Sequence, residues 1–257
     1  MITVDKLYKS FGEKVVLSGI NLTIPDGITQ CIIGKSGCGK SVLLKHIVGL
    51  LNPDSGSVSI DGSVVSSLRQ EELFSLRRKM GYVFQGAALF DSISVFENIV
   101  LGEFEHGNRN QSKLEAEAKR VLSAVGLLPD AEDINSETFR KEWKILKDKM
   151  PSELSGGMKK RVGVARALVG SPDYIFYDEP TTGLDPVTSE QIDLLIKSLA
   201  GRFSITSVVI THDMFSVYNI ADRVAMLDSG SVVFSGTPDE LRSCDTPAVT
   251  DFLKRYL

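Results

Sequence analysis

Cysteine is scarce in this chain. Cys31, Cys38 and Cys244 are 3 among 257 residues. They are odd in number and lack metal-ligand spacing, which argues against a disulfide framework or zinc module and for a reducing, cytosolic compartment. No apolar run approaches the ~20 residues a membrane helix needs. The amino end, Met1-Ile2-Thr3-Val4-Asp5-Lys6, has no basic segment followed by an apolar one, so no signal peptide is expected. Positive charge is not in excess: 29 Lys and Arg face 33 Asp and Glu, a formal net charge of -4. That argues against a general nucleic-acid coat, although local basic patches remain open. Internal repeats and low-complexity tracts are missing as well. What remains is ordinary for a globular protein, 42% hydrophobic and 24% charged. The length suits one large domain, or a core with a subdomain.

The most informative stretch is Gly34-Lys35-Ser36-Gly37-Cys38-Gly39-Lys40-Ser41. It fits Gly-x-x-x-x-Gly-Lys-Ser/Thr, a phosphate-binding loop. A hydrophobic strand (Thr29, Cys31, Ile32, Ile33) precedes it and a helical run (Val42, Leu43, Leu44, Ile47, Val48) follows. This strand–loop–helix context is what the motif requires. Glycines let the backbone come close to a phosphate, and the freed N–H groups and the positive helix end face the anion. Lys40 reaches the terminal phosphates in this scheme. The Ser41 hydroxyl is a hard oxygen ligand for Mg²⁺. Cys38 reads as a tolerated small residue of the loop rather than a nucleophile.

Elsewhere the pattern alternates between strands and helices. Residues 2–8 and 15–24 read as strands, with Pro25-Asp26-Gly27 a turn. Phe11 reads as part of a polar loop, either a partly buried aromatic or a platform for an adenine ring. Gly49 to Gly56 must stop the first helix. Val58–Ile60 is a strand, residues 68–78 a helix, and Met80–Gln85 a strand. Gln85 is either a surface residue or one that touches a metal or water. Strands cease over 86–153. Ser112-Lys113-Leu114-Glu115 reads as a capping box opening a helix that Gly126 ends. In residues 131–149, Phe139, Trp143 and Leu146 stand at helical spacing, with Trp143 a packing anchor. Residues 238–257 read as helical.

Three later stretches carry chemistry. Ser155-Gly156-Gly157 opens a helix whose first turn holds Lys159, Lys160 and Arg161. That is a second anion site in waiting, or a glycine-rich cap. Tyr174–Phe176 leads to Tyr177-Asp178-Glu179, a buried strand ending in two acids. Burying adjacent acids costs several kcal/mol unless a cation or donor meets them. Beside a phosphate loop, Asp178 is read as holding Mg²⁺ through water, and Glu179 as orienting and deprotonating an attacking water. Ser207–Ile210 ends at Thr211-His212-Asp213, which places His212 where neighbouring strands converge and favours contact with a terminal phosphate. His46 and His106 lack such context. Arg223–Leu227 and Val232–Ser235 form a hairpin. Two anion-binding helix starts, only one with a lysine, suggest that a second copy covers the outer phosphate with its own Ser155 and Gly157. That gives a twofold dimer which opens on hydrolysis.

Together these residues resemble the ATP-binding subunits of ABC transporters over nearly the whole chain. Phe11 matches the adenine-stacking aromatic and Gly34–Ser41 the Walker A loop. Gln85 matches the Q-loop and Leu154-Ser155-Gly156-Gly157-Met158 the signature. Tyr174–Glu179 matches Walker B with its catalytic glutamate, Gly183-Leu184-Asp185 the D-loop, and His212 the switch histidine. The resemblance implies an α/β fold: a P-loop NTPase (RecA-like) core with an antiparallel β-subdomain and an inserted α-helical subdomain. Residues 1–85 and 170–237 would form the core, 86–169 the helical subdomain with the signature, and 238–257 a C-terminal tail. It implies ATP and Mg²⁺ as ligands. Glu179, His212 and Lys40 would be catalytic. Phe11, Val16, Gly34, Lys35, Ser36, Gly37, Cys38, Gly39, Lys40, Ser41, Val42, Gln85, Ser155, Gly156, Gly157 and Asp185 would contact nucleotide, and Ser41, Gln85 and Asp178 the metal.

The signature usually ends in glutamine, and here it is Met158. With Phe84–Phe90 and the tail Asp245–Val249, this is similar to the ATPases of Mla/Mce-type phospholipid transport systems, although residues 131–149 exceed their usual link. The resemblance then implies a homodimer on the cytoplasmic side of the inner membrane, bound to a permease near Gln85 and residues 86–104. A lipid-binding single-span protein and a small regulatory subunit can accompany it, and no nucleic acid is involved. An ABC importer ATPase for another solute is the nearest rival. A non-transport ABC ATPase lacks its expected coiled-coil insertions or zinc cysteines here, and a lone P-loop kinase leaves Ser155–Gly157 and His212 unexplained. If the loop grips phosphate, Lys40→Ala weakens ATP binding tenfold or more by titration with a fluorescent analogue. Normal affinity in that variant would remove the loop from the site.

Overall fold

A computed structural model describes residues 1–130 and 133–254. Alternating apolar residues make the first hairpin. β1 (Ile2–Phe11) and β2 (Lys14–Ile24) pair antiparallel around a tight turn, where Gly12 takes φ +59°. Ile2, Val4 and Leu7 point inward from β1. β4 (Ser55–Ile60) and the short β5 (Ser63–Val64) extend this into a four-stranded sheet of order β2-β1-β4-β5.

Near-continuous apolar runs make the second sheet, in the order β10-β9-β3-β8-β7-β6. Its members are β3 (Thr29–Ile33), β6 (Met80–Val83), β7 (Tyr174–Asp178), β8 (Thr206–Ile210), β9 (Arg223–Asp228) and β10 (Ser231–Gly236). All run parallel except β10. Parallel strands need cover on both faces, and the side chains divide accordingly. Ile32, Phe176, Val208 and Leu227 join one apolar cluster with β1, β2 and helix α1 (Lys40–Ile47). Ile33, Tyr177, Val209 and Met226 join a second cluster on the other face.

That second cluster is built largely from helices: α3 (Val95–Glu105), α4 (Gln111–Ala124), α5 (Glu137–Lys147), α6 (Gly156–Leu168), α7 (Pro186–Phe203) and α8 (Met214–Ile220). The small helix α2 (Gln70–Arg77) lies between β5 and β6, and α9 (Pro238–Arg242) and α10 (Pro247–Leu253) follow β10. No helix among the described residues is long and apolar enough to cross a membrane.

Several local expectations shift. Phe11 ends a strand rather than occupying a polar loop, because the hairpin register carries β1 to its turn. β6 stops at Val83, so Gln85 lies past the strand, in a turn. α4 starts before the expected box: Asn110, a strong N-cap, accepts from Lys113 N at 3.1 Å, and Ser112 lies inside the helix. α8 is unforeseen, although Asp213 caps it by accepting from Phe215 N at 2.9 Å. The tail divides at residues 243–246 into two helices rather than one. Residues 131–132 and 255–257 of the expected helical stretches lie outside the described residues.

Phe139, Trp143 and Leu146 are all buried on α5. The Trp143 ring meets Phe96 edge-on with centroids 5.9 Å apart, and the Lys119 ammonium lies 5.2 Å from the ring centroid. Trp143→Ala is therefore expected to cost about 3–5 kcal/mol in urea unfolding. A loss below about 1 kcal/mol would mean that α5 is not anchored through this ring.

Candidate functional site

The parallel strands deliver the predicted residues to one edge. Gly34 follows β3, Gln85 follows β6, Asp178 ends β7 and His212 follows β8. Open α/β sheets bind ligands outside these carboxyl ends. Between them lies a cleft of about 470 Å³, lined by Phe11, Lys14, Val16, Ser36, Gly37, Gly39, Lys40, Ser41, Val42, Gln85, Asp178 and Glu179.

Two glycines are obligatory in the loop. A Cβ on Gly34, at φ +145°, would stand 2.2 Å from the Leu227 carbonyl oxygen. One on Gly39, at φ +108°, would stand 2.9 Å from the Val16 carbonyl oxygen. Tight backbone packing thus demands glycine at both. Lys40 is buried and donates from Nζ to the carbonyls of Gly34 at 2.8 Å and Lys35 at 3.1 Å. Gly34, Lys35 and Cys38 shape the loop without lining the cleft. Burial pushes the Cys38 thiol pKa up, which makes it a poor nucleophile.

Asp178 is held on both oxygens. Ser41 Oγ donates to Oδ1 at 3.2 Å, and the Tyr82 hydroxyl donates to Oδ2 at 3.3 Å. Burial, with Asp178 beside it, raises the pKa of Tyr82, so its proton stays in place. Glu179 has φ +52°, an uncommon conformation for a long side chain. Its N–H donates to the Ile210 carbonyl at 2.9 Å, which fastens the strained residue to β8. Thr182 Oγ1 donates to Glu179 Oε2 at 2.7 Å, and His212 Nδ1 lies 2.7 Å from the same oxygen. Oxygen donors from Ser41, Asp178 and Gln85 suit Mg²⁺, a hard cation that takes oxygen ligands and completes its shell from phosphate and water.

Ser155, Gly156, Gly157 and Asp185 lie outside this cleft. Ser155 caps α6 by accepting from Met158 N at 3.3 Å. Asp185 caps α7, accepting from Thr188 N at 3.0 Å and Thr188 Oγ1 at 2.6 Å; those bonds hold its carboxyl below the usual range. A Cβ on Gly157 would come within 2.9 Å of Thr188, so the two helix starts abut. Of the three cations in the expected basic turn behind the glycines, two bind backbone elsewhere. Lys160 donates to the Gln85 carbonyl, and Arg161 Nη1 to the Val125 carbonyl at 2.6 Å. Both meet a backbone oxygen where the chain leaves regular structure, at the turn of Gln85 and the end of α4. His46 is buried and bonds its own helix through Nδ1 to the Val42 carbonyl, at 2.7 Å.

Tyr82 and Thr182 escape a reading of the sequence, and Lys160 is read there for another role, since no spacing rule ties Tyr82 to Asp178, Thr182 to Glu179 or Lys160 to Gln85. His212 also lines a second cleft of about 800 Å³ with Asp193, Asp213 and Phe215. Asp193 is 2% exposed and its Oδ1 has no hydrogen-bond partner among the described residues. Burial, seconded by Asp213 and Glu190 and opposed by Ser216 and Asn219, lifts its pKa from 3.8 to about 6.

A family model described as ABC transporter matches residues 17–182. The probable ribonucleotide transport ATP-binding protein mkl of Mycobacterium tuberculosis is 36% identical over 98% of this chain, which spans 66% of that protein's length. The intermembrane phospholipid transport system ATP-binding protein MlaF of Haemophilus influenzae is 36% identical over 99% of this chain and 90% of its own. Among solved structures, the dimeric post-hydrolysis state of the ATP-binding cassette MJ0796 bound to ADP and Pi superposes with a TM-score of 0.78. It is 31% identical and covers 93% of this chain and 99% of that one.

The raised Asp193 pKa sets a sign. An acid whose folded pKa lies above its unfolded one favours the fold below both values and loses that contribution as pH climbs from 3.8 to about 6. Asp193→Asn should therefore gain stability over the parent as pH rises, by up to about 3 kcal/mol near neutrality. A stability difference that stays flat with pH in denaturant titrations would mean that Asp193 is not held protonated.

Proposed function

The chain belongs to the ABC transporter family of ATP-binding subunits, and from that membership we propose that ATP hydrolysis here drives a permease which moves phospholipid. The hydrolysis itself comes with the family. The observation that carries the residue assignment is one convergence. Lys40, Ser41, Asp178 and Glu179 meet in a single cleft while Ser155 and Gly156 stand exposed outside it.

ATP would lie with its adenine against Phe11 and Val16. Its phosphates would meet the backbone N–H groups of residues 36–42 and the ammonium of Lys40. Ser41, Gln85 and, through water, Asp178 would hold Mg²⁺. When bound, that ion neutralises charge on the phosphate oxygens. Glu179 accepts the proton of the attacking water. Thr182 holds Oε2, which leaves Oε1 as the oxygen that takes it. His212 turns from Glu179 toward the terminal phosphate. Each copy presents Ser155, Gly156, Gly157 and Asp185 to the nucleotide of the other in a twofold homodimer. Each charge-assisted bond to the lost phosphate is worth about 1.5–3 kcal/mol, so cleavage loosens the pair.

The permease docks on a groove of about 580 Å³ that includes Tyr82, Phe84, Phe90 and Ile99. Phe84 and Phe90 are exposed there. The groove joins residues 1–85 and 170–237, taken as the nucleotide core, to 86–169, taken as the helical subdomain; 238–257 is the tail. Phospholipid as cargo rests on the likeness to MlaF along nearly the full length of both chains. The same likeness supports a place at the cytoplasmic face of the inner membrane, with a lipid-binding single-span protein and a small regulatory subunit as further partners. A pull-down from detergent-solubilised membranes, with lipid analysis, tests the cargo; a permease recovered with a bound small solute and no lipid would overturn it.

Glu179→Gln is expected to bind ATP, lose nearly all phosphate release and accumulate as a dimer by light scattering. Sustained hydrolysis in that variant would count against Glu179 as the base.

A further inference from the structure

Lys160 carries a buried charge for which the hydrolytic scheme has no use. It is 6% exposed, and its ammonium donates to the Gln85 carbonyl. Burial lowers its pKa, and the Glu179 carboxylate opposes that fall. A buried ammonium is costly to a fold unless something specific receives it.

The carbonyl it holds belongs to a strained segment. Ala87 and Ala88 have φ of +62° and +45°, a region alanine rarely adopts. Further along α6, Arg166 donates from Nη2 to the Ala87 carbonyl and from Nη1 to the Ala88 carbonyl, each at 2.8 Å. A Cβ on Gly163 would lie 3.2 Å from that of Ala87, so helix and segment are already in contact. Two cations on one helix thus hold three carbonyls of the turn that carries Gln85.

The two ends of this arrangement face different nucleotides, if the sandwich of the preceding section holds. Gln85 lines the cleft of its own chain. Ser155, at the start of the same helix, lies outside that cleft and is exposed. Between Ser155 and Lys160 the helix advances only about 7.5 Å, and a helix is stiff over that length. We propose that Lys160 is a positioning residue that links the two nucleotide sites of the homodimer. Docking of Ser155–Gly157 on the other copy's nucleotide fixes α6, and Lys160 then sets Gln85 over the nucleotide in its own cleft. A ligand that fixes one site in this way favours the other, which is positive cooperativity.

The test compares the full-length parent with Lys160→Met and Lys160→Arg. Hydrolysis against ATP concentration should give the parent a Hill coefficient well above 1, rising at most to about 2. Lys160→Met should bring it to about 1, and Lys160→Arg should restore it. Binding of a fluorescent ATP analogue, at protein concentrations too low for pairing, should stay within about twofold in all three. A readout without turnover uses the Glu179→Gln background: the ATP concentration for half-maximal dimer by light scattering should rise about tenfold when Lys160→Met is added. Unchanged Hill coefficient and dimer midpoint in Lys160→Met overturn the link. So does a monomer affinity that falls in step with dimerisation, since Lys160 would then shape only its own cleft. If the Glu179→Gln parent never dimerises with ATP, the sandwich fails and the link with it.

Discussion

The cleft depends on how one half-buried carboxylate is held. Asp178 ends a strand whose other residues are fully buried. A carboxylate so placed needs donors, or its desolvation costs several kcal/mol. Ser41 supplies one to Oδ1 and Tyr82 supplies one to Oδ2. Ser41 lies in the first turn of α1 and Tyr82 stands on β6, so two hydroxyls fasten phosphate loop, β6 and β7 into one unit. The sheet order makes this possible, because β6 neighbours β7 and only β8 separates β7 from β3.

Three residues beside that unit are strained. Glu179, Ala87 and Ala88 all take positive φ without being glycine. Each is held from outside: Glu179 by the Ile210 carbonyl, Thr182 and His212, the alanines by Arg166. Such conformations cost about 1–3 kcal/mol apiece and persist only where neighbours over-determine them. The surrounding core supplies that rigidity. The parallel sheet is covered on both faces, by α1 and the antiparallel sheet on one and by α3 to α8 on the other.

Much of this was legible in the residue order. The phosphate loop, the paired acids and the histidine after β8 lie in short contiguous stretches, where spacing and flanking pattern state their own context. Strand identity followed from apolar runs, and the β9–β10 hairpin from Asp228-Ser229-Gly230. Boundaries were less legible. Asn110 rather than Ser112 caps α4, since local signals compete and burial of Leu114 and Ala118 sets the phase. The helix α8 was missed because seven residues give too little periodicity to read.

What residue order determined, then, was the inventory of chemical groups and the elements that carry them, because loop, strand-end and helix-cap chemistry is local. Tertiary structure alone decided which groups meet. It turned Lys160 and Arg161 from a supposed anion site onto the carbonyls of Gln85 and Val125. It also set Tyr82 against Asp178. The physical reason is that hydrogen-bond satisfaction of buried groups is settled by packing between segments dozens of positions apart, and no spacing rule along the chain encodes it.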